Sequence, residues 1–153
     1  MIYPEYKADL QHIHESEVYG LAVFEAAARV SRNPERREKW QVLRALEEQT
    51  LRRYLEYMAR TGQPVREPRI WALKGRVEGV ALGLMPWRLA MRMVRNATQP
   101  FQKRFLRLKS HASGPDREFF DYVYVHEKAL EAFASAELAG REDSLKAVRA
   151  LLE

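Results

Sequence analysis

His12–Arg29 reads HIHESEVYGLAVFEAAAR, and the fold turns on this stretch. Advancing 100° per residue places Leu10, Ile13, Gly20, Leu21, Phe24 and Ala28 on one face of a helix. Glu17 falls in the middle of that face. A carboxylate among apolar neighbours is costly unless something pairs with it. The helix is expected to run from about Pro4 to Val30, because Asn33-Pro34 pushes the chain out of the helical region.

The same reading continues along the chain. A second helix is expected over about Pro34–Thr61, closed by Gly62, with Pro34 in its first turn. Trp40, Leu43, Leu46, Thr50, Leu51, Tyr54 and Met58 form its apolar face. Glu47 lies at the centre of that face and Glu48 on its flank. A third helical segment runs from about Ile70 to Lys109, with breaks expected at Pro86 and Pro100. Gly75, Gly79 and Gly83 recur in it every four residues, a spacing that lets another backbone approach closely. Gly79–Trp87 contains no charged residue and is bracketed by Lys74, Arg76, Arg88 and Arg92. It is too short to cross a bilayer but suits a membrane interface. A fourth helix follows over about Asp116–Ala139, with Phe119, Tyr122, Val123, Leu130 and Phe133 inward. His126 and Glu137 share that face, and Glu127 lies on its flank. A short fifth helix over about Glu142–Leu152 closes the bundle end.

The chain has 153 residues, with 46% hydrophobic, 31% charged and no cysteine. That is enough for one domain, residues 1–153, with its own core, and it excludes disulfides, thiolate metal sites and a cysteine nucleophile. The net charge of +5 comes mostly from cations interleaved with acids, so no specific nucleic-acid partner is expected. No phosphate-binding glycine loop and no nucleophile elbow occurs. His12 and His14 cannot share a helix face and, with His111, read as surface residues. The charged N-terminus leads us to expect a cytoplasmic protein, with peripheral contact to the inner face of a membrane through Gly79, Trp87 and Arg88 as an alternative.

Three helices thus aim Glu17, Glu47 and His126 inward near their midpoints. Carboxylates and imidazole are ligand types that iron and manganese accept, and side chains of facing helices can converge on one core site. The chain resembles the ferritin-like superfamily of di-iron carboxylate proteins. That resemblance implies an antiparallel four-helix bundle with a short C-terminal fifth helix. The likeness lies in Glu17 with Gly20 and Phe24 on the first helix, in Glu47–Leu51 where a Glu-x-x-His would stand, and in Val123–His126 where a second would stand. Thr50 occupies the first histidine position and Val123 the second glutamate position. In the alternative registers, Glu48 is followed by Leu51 and Glu127 by Leu130. Glu78 is the only acid of the third segment. Within the superfamily the order HESEVYG, Pro-containing connector and glycine-rich third helix is similar to the demethoxyubiquinone hydroxylase type, which implies a di-iron site acting on a membrane-borne quinone.

The motif is degenerate. The sequence therefore favours a bundle that acts by binding a partner or by assembling, most simply as a homodimer, with no metal and with Glu17, Glu47 and His126 hydrogen-bonded to one another. The alternatives are one iron or manganese on Glu17, Glu47 and His126, or two metals with Glu48, Glu78 or Glu127 added. An oxidoreductase acting on an apolar, quinone- or lipid-like substrate would follow from either. Unpaired buried acids would also make stability fall as pH rises.

Overall fold

The computed structural model describes residues 3–153. Its helices are α1 (Tyr6–Val30), α2 (Pro34–Arg60), α3 (Arg69–Leu84), α4 (Trp87–His111), α5 (Gly114–Leu138) and α6 (Lys146–Leu151), with no strand among the described residues. The all-α expectation holds. Asn33 caps α2 as its side chain accepts from the Arg36 amide at 3.0 Å, with Pro34 in the first turn. Gly62 and Gly140, just past α2 and α5, adopt φ of 67° and 72°, left-handed values that glycine reaches without strain.

The third helical segment is two helices. The chain breaks at Met85-Pro86, as expected, but Pro100 lies inside an unbroken α4. Pro100 sits on the exposed side of α4, where water can take the carbonyl that its missing N–H leaves free. The final helix is also shorter than expected, because residues 142–145 form turns.

Short links pair α1 with α2 and α4 with α5 as hairpins. α3 is the long return between them. It runs parallel to α1, since Gly75, Gly79 and Gly83 meet Tyr19, Val23 and Ala27 in ascending order. A Cβ on Gly79 would stand 2.4 Å from the Val23 carbonyl oxygen and 2.9 Å from Ala26 Cβ. The glycine row therefore serves an internal contact, with α1 as its partner. This corrects the expectation that Gly79 faces a membrane. Trp87 is corrected too. Its ring packs edge-on against Trp40 at 5.3 Å, and its Nε1 donates to Glu137 at 2.8 Å. Arg88 is exposed, and its guanidinium donates to the Leu138 carbonyl at 2.9 Å.

The core falls into two apolar blocks. One holds Val23, Phe24, Trp40, Leu43, Met91, Val94, Leu130 and Phe133. The other holds Leu10, Ile13, Tyr54, Tyr57, Phe105, Leu108, Phe120 and Val123. Each of α1, α2, α4 and α5 crosses from one block to the other. At the crossing each carries polar residues: Ser16 and Glu17, Gln49 and Thr50 beside Glu47, Thr98 and Gln102, and His126 and Glu127. This buried polar belt at mid-height is where the site lies.

Candidate metal centre

The belt brings Glu17, Glu47 and His126 together. One ligand atom from each lies within 4.8 Å of the others, and all three side chains are buried. His126 Nδ1 is 3.4 Å from Glu17 Oε1 and 4.0 Å from Glu127 Oε1, while Nε2 is 3.4 Å from Glu47 Oε1. The imidazole is thus flanked by carboxylates on both sides. A tetrahedral cation with ligands at about 2.1 Å has ligand–ligand edges of about 3.4 Å. Either side of the ring could supply such an edge. The glutamate beside the other ring nitrogen still offers an atom within 4.8 Å of the other two, close enough for all three to serve one ion.

Among the described residues six buried side-chain polar atoms lack a hydrogen-bond partner. Five of them are here: both oxygens of Glu17, Glu47 Oε2 and both nitrogens of His126. Buried polar atoms are nearly always paired, so a cluster of orphans asks for a ligand. Burial first, and the adjacent Glu47 carboxylate second, hold Glu17 well above the usual carboxyl range. Burial likewise lifts Glu127 to about 8, against the lowering effect of His126 and of the Ser16 hydroxyl, which donates to it at 3.3 Å. At His126 burial acts downward, but the nearby Glu47 and Glu127 carboxylates outweigh it and raise the imidazole. With all three acids ionised around one imidazole the cluster would be short of positive charge, a deficit that a divalent cation would fill.

Gly20 makes room for this arrangement. A Cβ at that position would lie 2.7 Å from Glu47 Cδ and 2.9 Å from each of its oxygens. Thr50, at the missing histidine position, is filled by hydrogen bonding instead. Its hydroxyl is 2.8 Å from Tyr122 Oη, which also accepts from Gln49 at 3.0 Å. Val123 belongs to the apolar block. α4 brings only Thr98 and Gln102 to the belt, bonded to each other at 3.0 Å.

The remaining residues singled out from sequence scatter. Glu48 is exposed, 3.5 Å from Arg44. Glu78 stands apart on α3, accepting from Tyr19 Oη at 2.7 Å and facing Lys74 at 3.4 Å. Glu127, placed on a flank by the helical wheel, is 3% exposed, because both α1 and α4 cover that side of α5. Glu137 pairs with Lys39 at 2.9 Å. His14 is a correction. It is buried rather than on the surface, its ring 4.9 Å from that of Tyr54, and burial lowers its basicity.

A cavity of about 180 Å³ reaches the cluster. Tyr19, Val23, Phe24, Leu82, Met85, Met93, Val94, Phe101 and Leu130 line its walls, with Gly20, Glu47 and Glu127 contributing the polar part and Glu78 alongside. It occupies the gap left where α3 and α4 diverge from Pro86. Its lining, mostly apolar with a few convergent polar groups, is that of small-molecule sites. No family model, curated protein or solved structure matches this chain.

Proposed function

We propose that this protein is a ferritin-like metal-dependent oxidoreductase. In this reading it holds one iron or manganese ion on Glu17, Glu47 and His126, with Glu127 as a further carboxylate. It takes an apolar small molecule into the cavity between α3 and α4. The observation that carries the reading is the cluster of five orphaned polar atoms beside an apolar cavity. Helix order supports it. Two hairpins joined by one long return, here α3, are the connectivity of ferritin-like bundles. Ligand count favours one ion over two. Thr50 and Val123 break both Glu-x-x-His pairs, and α4 brings no carboxylate to the belt.

When bound, such an ion would supply one-electron redox chemistry. The chain's own residues, Glu17, Glu47, His126 and Glu127, would balance its charge, and the apolar walls of the cavity limit water around it.

The test is metal content by elemental mass spectrometry after anaerobic incubation with ferrous iron and removal of the excess. About one iron per chain is expected, falling at least about tenfold in Glu47→Gln and His126→Ala. Thermal melts by circular dichroism check that both variants fold. No iron in the parent protein, or iron unchanged in both variants, would overturn the reading. For the redox part, oxygen uptake by the iron-loaded protein is expected to depend on an added apolar reductant such as a short-chain quinol. Uptake that ignores it would leave a metal-binding protein without this activity.

A further inference from the structure

α3 shows solvent an aliphatic face on the side away from α1. Ile70, Leu73, Val77, Val80 and Leu84 follow one another at steps of three and four residues and are 80, 60, 65, 40 and 64% exposed. The row is about 21 Å long at 1.5 Å per residue. Globular proteins turn such a row inward, and an uncovered one of this continuity marks a contact surface.

The surrounding charge says what kind of contact. Seen down the helix axis, Arg69 and Arg76 border the row on one side and Lys74 on the other. Neither arginine has a carboxylate partner among the described residues. Residues 69–111 hold ten of the 26 lysines and arginines of the chain and one of its 21 acids, Glu78. A second copy docking through the same row would set these cations against their own counterparts. Nucleic acid would meet the cations but give the five aliphatic side chains nothing apolar to lie against. An anionic bilayer surface answers both features, with acyl chains for the row and phosphates for its borders.

We propose that α3 is a membrane-interface helix. Its Ile70–Leu84 row inserts at the acyl boundary of an anionic lipid surface, while Arg69, Lys74 and Arg76 engage headgroup phosphates. The attachment is peripheral, since no described helix is long and apolar enough to cross a membrane. It uses the face of α3 opposite Gly79 and does not depend on the metal. Ala81, on the cavity rim, adjoins the row on the helix surface. Docking would therefore bring the mouth of the cavity to the acyl layer.

The test is co-sedimentation of the full chain with vesicles of phosphatidylcholine and phosphatidylglycerol at 3:1, and with phosphatidylcholine alone. Binding is expected to the anionic vesicles at low salt, at least about tenfold weaker in 0.5 M salt and on neutral lipid. Leu73→Ser/Leu84→Ser changes only exposed side chains, so its melting profile should stay parental while vesicle binding falls at least tenfold. Arg69→Gln/Arg76→Gln should weaken binding without changing the melt. Absence of sedimentation at low salt would overturn the proposal, as would binding unaffected by the leucine changes. So would a dimer in solution that the leucine changes dissociate, because the row would then be an interface between copies.

Discussion

Replacing Gly20 by alanine separates the site from the fold. The added methyl would lie 2.7–2.9 Å from three atoms, all of them in the carboxylate of Glu47. To regain ordinary contact that carboxylate must withdraw by about 0.5–0.7 Å. It is the far end of a flexible side chain, so the backbone need not move. In a helix interior, alanine is worth up to about 1 kcal/mol over glycine. The metal-free variant should therefore match the parent in urea unfolding or gain up to about 1 kcal/mol. The metal site fares differently, because coordinating groups must be held to within about 0.5 Å. Loss of orientation at a metal ligand weakens binding about 10–100-fold, or about 1.4–2.8 kcal/mol. Competition with a chromophoric chelator for manganese or ferrous iron measures this directly. Opposite signs on the two axes are expected. Unchanged metal affinity would refute the placement of Glu47 as a ligand. Loss of more than about 2 kcal/mol by the metal-free variant would refute the claim that its carboxylate is free to retreat.

Other perturbations read different parts of the structure. In the metal-free protein the fold favours protonated Glu127 and Glu17, so stability is full below the ordinary value near 4.5 and is lost as pH rises toward about 8. Saturating manganese should offset that loss, and urea midpoints from pH 5 to 9 with and without metal would show it, a flat metal-free profile counting against it. Gly79→Ala meets backbone at Val23 rather than a movable side chain, and should cost about 1–3 kcal/mol with faster amide exchange in α3 than in the parent. Asp9 accepts from Tyr3 and twice from Arg107, each at 2.7 Å. Although burial alone would raise Asp9, these partners hold it below its ordinary value near 3.8. Its contribution is thus present above that value and lost as pH falls through the lowered one, and Asp9→Asn should lower the melting temperature at pH 7 while flattening the acid limb. Ala97→Phe narrows the cavity from α4, and should reduce uptake of an apolar fluorescent probe with metal content unchanged.

The helices and the inward placement of Glu17, Glu47 and His126 were legible because each rests on local periodicity. What local periodicity cannot supply is the neighbour. The four-residue glycine spacing announced a close approach, but only the three-dimensional packing shows that α1, with Ala22 and Ala26, is what approaches. Glu127 lay on a flank of the wheel, yet α5 is covered on two sides and the flank is interior. His14 read as surface because the wheel of α1 omits the 61–68 connector, whose Arg66 and Glu67 act on its ring. Trp87 sat at the edge of an uncharged run that suggested lipid. Its indole instead fills the bundle end against Trp40. The apolar surface of α3 was hidden in plain view, because an aliphatic row looks the same whether or not another helix covers it.

The space beneath Glu47 has a bearing on descent. A side chain at position 20 displaces the carboxylate of Glu47 from the position it holds here, so where that carboxylate serves as a ligand the two positions should drift together. A lineage that gives up the ligand is released to place any small residue at 20, and one that keeps it is expected to keep glycine there. Distant kin beyond the reach of overall similarity can therefore be sought by a linked pair of marks. These are Glu-x-x-Gly on the first helix and an inward glutamate midway along the second, with His-Glu on the fifth as the third mark of the same constraint.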